Sequence, residues 1–432
     1  MKGEWQMKQP MYLCIDLKSF YASVECVERG LDPMTTNLVV ADPDRSHNTI
    51  CLAITPAMKK LGIKNRCRVR EIPSHVKYIT APPRMQFYID YAAEIYGIYL
   101  KYISKDDIHV YSIDEAFLDV TNYLSLYNLT AKELGQKIMK DVLDKTGIRA
   151  TCGIGTNLYL TKIALDITAK HSPDFIGYLD EELYKEQLWD HKPLTDFWRI
   201  GVGTQARLEK YGIHTMRGIA NFDEELLYQM FGIDAELLID HAWGKETCTM
   251  ADIKSYKTSA KSISSGQVLM RDYNFEEGKL IVKEMIELLA LDLVSQNLVT
   301  KSVSLYIGYS KSNEKPPATG SFSLGTAVNS DKVLRDEIVK LYNKIVDRYS
   351  PIRRVNISCN NVSEEEYVQF SFFDDVEALE KERRIQSVVV ELKKKYGKDA
   401  VLKGMNFNEG ATTIGAVISL LFCQVKGFLK AN

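Results

Sequence analysis

Three acidic residues stand where short apolar runs break. Asp16 closes residues 11–16 (MYLCID), which read as a buried strand. Asp114 and Glu115 sit between the apolar halves of residues 109–120 (HVYSIDEAFLDV), which read as two strands with a turn between them. Carboxylates delivered by strands suit magnesium, which wants near-octahedral oxygen ligands and leaves part of its shell to phosphates. Two such ions serve an in-line displacement at phosphorus, one activating the attacking hydroxyl and one stabilising the leaving pyrophosphate. Neighbouring residues of a regular strand point to opposite faces, so Asp114 and Glu115 act together only if a turn lies there. A solvated acidic turn at a hairpin tip has the same residue types. Spacing alone leaves both readings open.

The elements that must position these residues follow from periodicity. A helix is expected over Phe20–Val27, apolar runs over 38–41 and 50–54 around the loop DPDRSHN, and a basic helix over 57–61 opened by Pro56 and stopped by Gly62. Helical spacing covers 85–103 and 134–143, the latter closed by Gly147, and 149–154 is another strand. This order suggests an α+β sheet with helices on one face. Residues 181–244 are helical with repeated glycine stops, and 245–259 form a polar linker. Strands at 261–268, 303–309 and 352–358 and helices at 275–293 and 333–349 give a small βαββαβ module. Beyond Asn360 the chain turns polar and charged, as a tether would.

With 432 residues the chain can hold roughly two to four domains. An apolar content of 45% with 26% charged residues excludes wholesale disorder. The net charge of −2 names no partner, because phosphate binding depends on local clustering that the sum conceals. Eight cysteines without a C-x-x-C pair read as reduced core thiols of a cytoplasmic protein. The opening MKGEWQMKQP lacks a signal-peptide core, and the apolar run 414–422 falls short of the ~18 residues of a membrane span. No membrane partner is therefore expected.

Asp16-Leu17-Lys18-Ser19-Phe20-Tyr21-Ala22-Ser23-Val24-Glu25 resembles the first signature of the Y-family DNA polymerases. Ser112-Ile113-Asp114-Glu115-Ala116-Phe117-Leu118-Asp119 resembles their second, in the expected order and at the expected separation. The likeness extends over about residues 11–360 and is greatest to the UmuC-like branch of Gram-positive bacteria. It implies a multidomain α+β right-hand polymerase: palm at 1–25 and 78–178, small fingers at 26–77, helical thumb at 179–244, linker at 245–256, βαββαβ little finger at 257–360 and tail at 361–432. The implied activity is template-directed addition of deoxynucleotides to a primer 3′ end, opposite damaged or undamaged template, in DNA repair and damage tolerance under the SOS response. Primer–template DNA and deoxynucleoside triphosphates are the implied partners and two Mg2+ the implied cofactors. By the same resemblance Asp16, Asp114 and Glu115 are the metal ligands, with the Leu17 carbonyl completing one shell. Tyr21 falls at the steric gate, where a flat ring under the sugar leaves no room for a 2′-hydroxyl, and Phe20 packs beside it. Read alone, Phe20 and Tyr21 are also a helix's core stripe. Lys59 and Lys170 match basic positions that hold the triphosphate, as point charges against its oxygens. Lys162 is a weaker candidate, Lys59 stands where some relatives carry arginine, and Pro56 replaces an aromatic residue.

Ile200-Gly201-Val202-Gly203 satisfies the loose pattern G-x-G-x-x-A but lacks the βαβ setting of a dinucleotide site, and after Gly153 and Gly155 the third glycine is replaced by Leu158. Gly201 and Gly203 fit a helix-hairpin-helix better, with amides free to approach a phosphate and Arg207, Lys210 and Gly212 in support. Residues 257–360 hold 15 Lys and Arg against 11 Asp and Glu, a local net of +4 in the direction that DNA binding requires. Lys257, Lys261, Arg271, Lys301, Arg353 and Arg354 are the phosphate-binding candidates there. Gln369, Phe370, Phe372 and Phe373 resemble the peptide by which bacterial proteins bind the sliding clamp, a flexible tether at the primer end. After Thr412 the chain is apolar where relatives end in a polar, basic stretch. Two other readings remain: a catalytically inactive, clamp-tethered DNA-binding protein, and a palm-type nucleotidyl cyclase, against which the helix-hairpin-helix and the βαββαβ module count.

Overall fold

The computed structural model describes residues 9–43, 47–256, 262–310, 315–365 and 376–413. The chain divides into two compact units, Met1–Lys257 and Thr258–Asn432. In the first, β1 (Tyr12–Leu17) leads into α1 (Phe20–Val27), followed by β2 (Leu38–Val40), β3 (Ala53–Ile54), α2 (Pro56–Lys60) and β4 (Ile79–Ala81). Next come α3 (Met85–Tyr99), β5 (Ile108–Val110), β6 (Glu115–Asp119), α4 (Tyr123–Tyr127), α5 (Ala131–Thr146) and β7 (Ala150–Gly155). Helix α6 (Leu158–Ile163) continues through a π turn (Ala164–Thr168) into α7 (Ala169–His171), and β8 (Ile176–Leu179) closes the α/β part. The helical remainder is α8 (Glu181–Gln187), α9 (Val202–Glu209), α10 (Met216–Ala220), α11 (Glu224–Phe231), α12 (Asp234–Ala242) and α13 (Met250–Ser255).

The main sheet runs β5-β6-β1-β7-β8, with β1 central and antiparallel to both neighbours. Its apolar run needs no alternation because helices cover both faces, which corrects the expectation of helices on one face. Cys152 of β7 meets Gly135 of α5, while the adjacent Gly153, pointing the other way, meets the backbone of Thr161 and Leu165. Helix α5 outruns the expected 134–143 because Thr130 and Glu133 form a capping box at one end and Gly147, at φ 69°, ends the other. A separate small sheet, β3-β2-β4, buries Val39, Ile54, Met58, Cys51 and Cys67 around α2. Residues 245–256, expected as a linker, fold back as α13: Thr249 and Asp252 cap it, and Met250 is buried with Tyr12, Cys14 and Leu158.

The second unit has the βαββαβ order expected: β9 (Ser262–Tyr273), α14 (Phe275–Ser295), β10 (Leu298–Tyr309), β11 (Ala318–Val328), α15 (Asp331–Ile345) and β12 (Ile352–Asn360). Its antiparallel sheet, ordered β11-β10-β12-β9, packs Val303, Leu305, Ile307, Val355 and Ile357 against Ile281, Met285, Leu289, Ile338 and Tyr342 of the two helices. The stretch expected as a free tether is partly docked here. After β13 (Ser363–Glu364), helix α16 (Val376–Tyr396) places the Glu382 carboxylate on the Ser330 hydroxyl (2.8 Å) and the Lys332 amide (2.9 Å), and Arg383 on Glu365 (2.7 Å). The buried Glu284 of α14 accepts hydrogen bonds from the Thr412 amide (2.8 Å), the Thr413 hydroxyl (2.6 Å) and Asn406 Nδ2 (2.9 Å). This docking is made by polar side chains, so no apolar stripe announced it. Among the described residues no helix is long and apolar enough to cross a membrane.

Gly153→Ala tests the contact of α6 with the sheet. A Cβ there would lie 2.2 Å from the Thr161 carbonyl oxygen and 2.4 Å from the Leu165 nitrogen, backbone atoms that cannot swing aside. The expected cost is at least about 1–3 kcal/mol, read as a lowered thermal midpoint; an unchanged midpoint would refute the close packing.

Candidate active site

Asp16 of β1 and Glu115 of β6 are direct antiparallel partners, so their side chains share a face of the sheet. Asp114 precedes the strand in a bend held by the Tyr111 and Ser112 amides on the Glu115 carbonyl (2.9 and 3.0 Å). The Ser112 hydroxyl donates to Asp114 Oδ1 at 2.6 Å, and the Leu17 amide donates to the Asp114 carbonyl at 2.8 Å. That bend supplies the turn without which Asp114 and Glu115 would diverge. Burial first, then the charges of Asp114 and Glu115, push the Asp16 carboxyl up to about 8.

Glu115 is not free. Its Oε1 lies 2.7 Å from Lys162 Nζ and accepts the Cys14 thiol at 3.1 Å. Lys162 and Glu115 are both nearly buried, and Asp166 approaches Lys162 from the π turn at 3.2 Å. Burial disfavours the Lys162 ammonium, but the charges of Glu115, Cys14 and Asp166 together outweigh it and hold the lysine above its ordinary value. Lys162 is therefore a carboxylate partner here, which corrects its reading as a triphosphate ligand. Sequence spacing showed it only as one lysine on a helical face. Among the described residues no three His, Cys, Asp or Glu side chains converge into a closed cation cage. The donor set nonetheless fits divalent cations: hard carboxylate oxygens repel one another around Asp16, and a cation would relieve that repulsion.

The cationic candidates Lys59 and Lys170 lie close enough for their charges to act on each other. Lys59, at the end of α2, is drawn below its ordinary value by desolvation and by the charge of Lys170, with Asp16 and Asp114 acting oppositely. Lys170, exposed on α7, and Lys59 both lower Lys18, after desolvation. Lys18 was missed as a member of this group although it stands inside the first signature. Ser19, between Lys18 and α1, adopts φ 51°, ψ 45°, an uncommon conformation for a non-glycine residue. Its Oγ is buried without a hydrogen-bond partner among the described residues. Phe20 is buried, in keeping with a core stripe, whereas Tyr21 is half-buried, 5.8 Å from it between ring centroids. Burial first and the Asp114 charge second push the Tyr21 hydroxyl up to about 12.

The other candidates separate into three groups. Gly201 caps α9, and a Cβ on Gly201 or Gly203 would meet nothing within 4 Å, so both leave backbone open. Arg207 donates to the Met230 carbonyl at 3.2 Å. In the second unit Arg354 and Lys301 are exposed, while Arg271 is paired with Glu277 and Arg353 lies 3.6 Å from Asp272. Lys257, Lys261, Gln369, Phe370, Phe372 and Phe373 lie outside the described residues, as does the apolar stretch from 414 onward. One feature of the sheet went unforeseen: Ser264, Ser358, Ser304 and Ser321 pair directly across all four strands on the face away from the helices. Next to them Gly266, Asn356, Tyr306 and Thr319 form a second row, and the two rows without Gly266 line a shallow hollow of about 420 Å³.

Two family models match the chain: the impB/mucB/samB family over residues 15–166 and that family's C-terminal domain over 260–372. A putative UV-damage repair protein, UvrX of Bacillus subtilis (strain 168), is 31% identical over 416 residues, spanning 95% of this chain and 96% of its own. DNA polymerase IV 2 of the same strain is 28% identical over 404 residues, spanning 92% and 94%. A solved Y-family DNA polymerase chimera of Dbh and Dpo4 superposes with a TM-score of 0.61 at 21% identity, covering 82% of this chain and 99% of that one. The chain belongs to the impB/mucB/samB family, the UmuC-like Y-family DNA polymerases.

The Lys162–Glu115 pair yields an asymmetric expectation. Lys162→Ala strands a buried carboxylate and is expected to cost about 3–5 kcal/mol. Glu115→Gln costs less, since Lys162 keeps Asp166 at 3.2 Å. Chemical denaturation of both variants checks the order, and equal losses would show that Lys162 does not hold Glu115.

Proposed function

We propose that the chain extends a primer 3′ end along template DNA, damaged or intact, using deoxynucleoside triphosphates and two magnesium ions held by Asp16, Asp114 and Glu115. The supporting observation is the opposition of Asp16 and Glu115 across β1 and β6, with the Asp114 bend beside them. Membership of the family makes it a DNA-directed DNA polymerase, and its likeness to a putative UV-damage repair protein supports a place in damage tolerance. When bound, the ions supply Lewis-acid charge that activates the primer hydroxyl and stabilises the departing pyrophosphate. Asp16, Asp114, Glu115 and the Leu17 carbonyl would hold them.

The remaining work falls to this chain's side chains and backbone. Lys59 and Lys170, with Lys18, present positive charge to a triphosphate, while Lys162 is engaged by Glu115. Tyr21 lies under the sugar and excludes a 2′-hydroxyl. In this reading residues 1–25 and 78–178 are the palm, 26–77 the fingers, 179–244 the thumb and 257–360 the little finger. The open amides at Gly201 and Gly203 suit a phosphate, and the serine row across the four strands of the second unit allows a backbone to approach closely. Residues Gln369, Phe370, Phe372 and Phe373 would bind the sliding clamp.

The engagement of Glu115 by Lys162 favours a second reading, a catalytically inactive, clamp-tethered DNA-binding protein. Primer extension with Mg2+, comparing the wild type with Asp114→Ala, separates the two. Extension by the wild type that is lost in Asp114→Ala, and lost reversibly on chelation of magnesium, is the expected result. Equal activity in both would overturn the catalytic assignment. No activity in either, with primer–template still bound, would favour the second reading.

A further inference from the structure

Helices α1 and α3 are clipped together by two residues from each, spaced one helical turn apart. Tyr21 and Glu25 lie four residues apart on α1, and Arg84 and Tyr88 lie four apart at the start of α3. The rings of Tyr21 and Tyr88 stack at 4.6 Å between centroids with 17° between planes. The Tyr88 hydroxyl, fully buried, donates to Glu25 Oε1 at 2.8 Å. Arg84 grips both oxygens of the same carboxylate, Nε on Oε1 at 2.9 Å and Nη2 on Oε2 at 3.0 Å, and Arg29 adds a third donor group. The Glu25 side chain is wholly removed from solvent.

We propose that Tyr88 and Glu25 are positioning residues that fix the Tyr21 ring and so set how strongly the site rejects ribonucleotides. The inference rests on Tyr21 being the sugar gate. An apolar wall rejects an added hydroxyl by only about 10²-fold even when rigid, so a ring able to retreat would give that up. Tyr21 turns about two torsions, and its half-exposed ring has solvent on one side. The stacked Tyr88 ring closes the direction in which Tyr21 would withdraw. Tyr88 cannot follow, because its hydroxyl is tied to a carboxylate that two arginines hold. Bidentate pairing of arginine with carboxylate fixes orientation as well as distance, which an ammonium in Arg84's place would not. A network serving only to join α1 to α3 would need the Glu25–Arg84 pair but not a ring parallel to Tyr21.

The test is the ratio of kcat/KM for a ribonucleotide to that for the matching deoxynucleotide, measured on one primer–template for each variant. Within one preparation the fraction of folded enzyme cancels from that ratio. Tyr21→Ala is expected to lose most of the selectivity, which checks the gate itself. Tyr88→Leu, with Tyr21 intact, is expected to raise the ratio about tenfold, the scale of a stacked aromatic pair. Tyr88→Phe keeps the stack and loses only the tie to Glu25, so a smaller rise of roughly threefold is expected. If Tyr88→Leu does not fold, Tyr88→Phe and Glu25→Gln carry the same test. A wild-type ratio in the Tyr88 and Glu25 variants, with selectivity lost in Tyr21→Ala, would overturn the positioning role and leave the gate standing. A wild-type ratio in Tyr21→Ala would overturn both.

Discussion

Carboxylates on neighbouring strands repel, and the register of β1 with β6 puts Asp16 and Glu115 side by side with Asp114 adjoining them. Much of the first unit is arranged around that repulsion. Lys162 answers it at Glu115, 2.7 Å away, while Lys18 and Lys59, with Lys170 acting on both, feel the charge of Asp16. The first is buried and committed to Glu115; the last two are exposed and available to an anion. An arrangement that neutralises one carboxylate internally and leaves the others to repel is poised for cations from solvent.

The position of Lys162 depends in turn on two glycines. Gly153 and Gly155 have no room for a Cβ, because α6 and its π turn lie directly on β7 at backbone distance. That approach brings Lys162, near the end of α6, to Glu115 on β6, two strands from β7 in the sheet. The π turn then carries Asp166 to the lysine's other side. Single-turn π segments recur at functional sites because they redirect a side chain without ending the helix. The glycines that look superficially like a nucleotide-binding loop are thus packing residues, one step removed from the chemistry.

The three carboxylates and Tyr21 were legible because they lie in two contiguous signatures whose elements, β1, α1 and the β5–β6 hairpin, are short and strongly patterned. The βαββαβ order was legible for the same reason, with long amphipathic helices between alternating strands. What escaped were relations between distant segments. Tyr88 and Arg84 stand about sixty residues from Tyr21 and Glu25, inside a helix whose aromatic stripe gives no sign of its partner. The docking of 403–413 on Glu284 rests on threonine and asparagine, residue types shared with any loop. The extra layer of helix on the sheet followed from glycine positions that only the close contact explains.

Charge counting in the second unit shows the same gap between composition and surface. Of the residues behind the local net of +4, Lys279, Arg335 and Lys340 pair with acids on their own helices, and Lys315 pairs with Asp347. Arg271 is held by Glu277 and stacked over Tyr273. The sheet face that is free of helices instead carries serine, asparagine, threonine and glycine in register, with Tyr306 among them and Arg354 beside Val268 and Gly308. Such a face offers hydrogen bonds at short range and little long-range attraction. Its hydroxyls and amides are the groups that suit contact with a sugar–phosphate backbone already brought close. Weak, sequence-blind contact of that kind is what a polymerase that must tolerate irregular template requires.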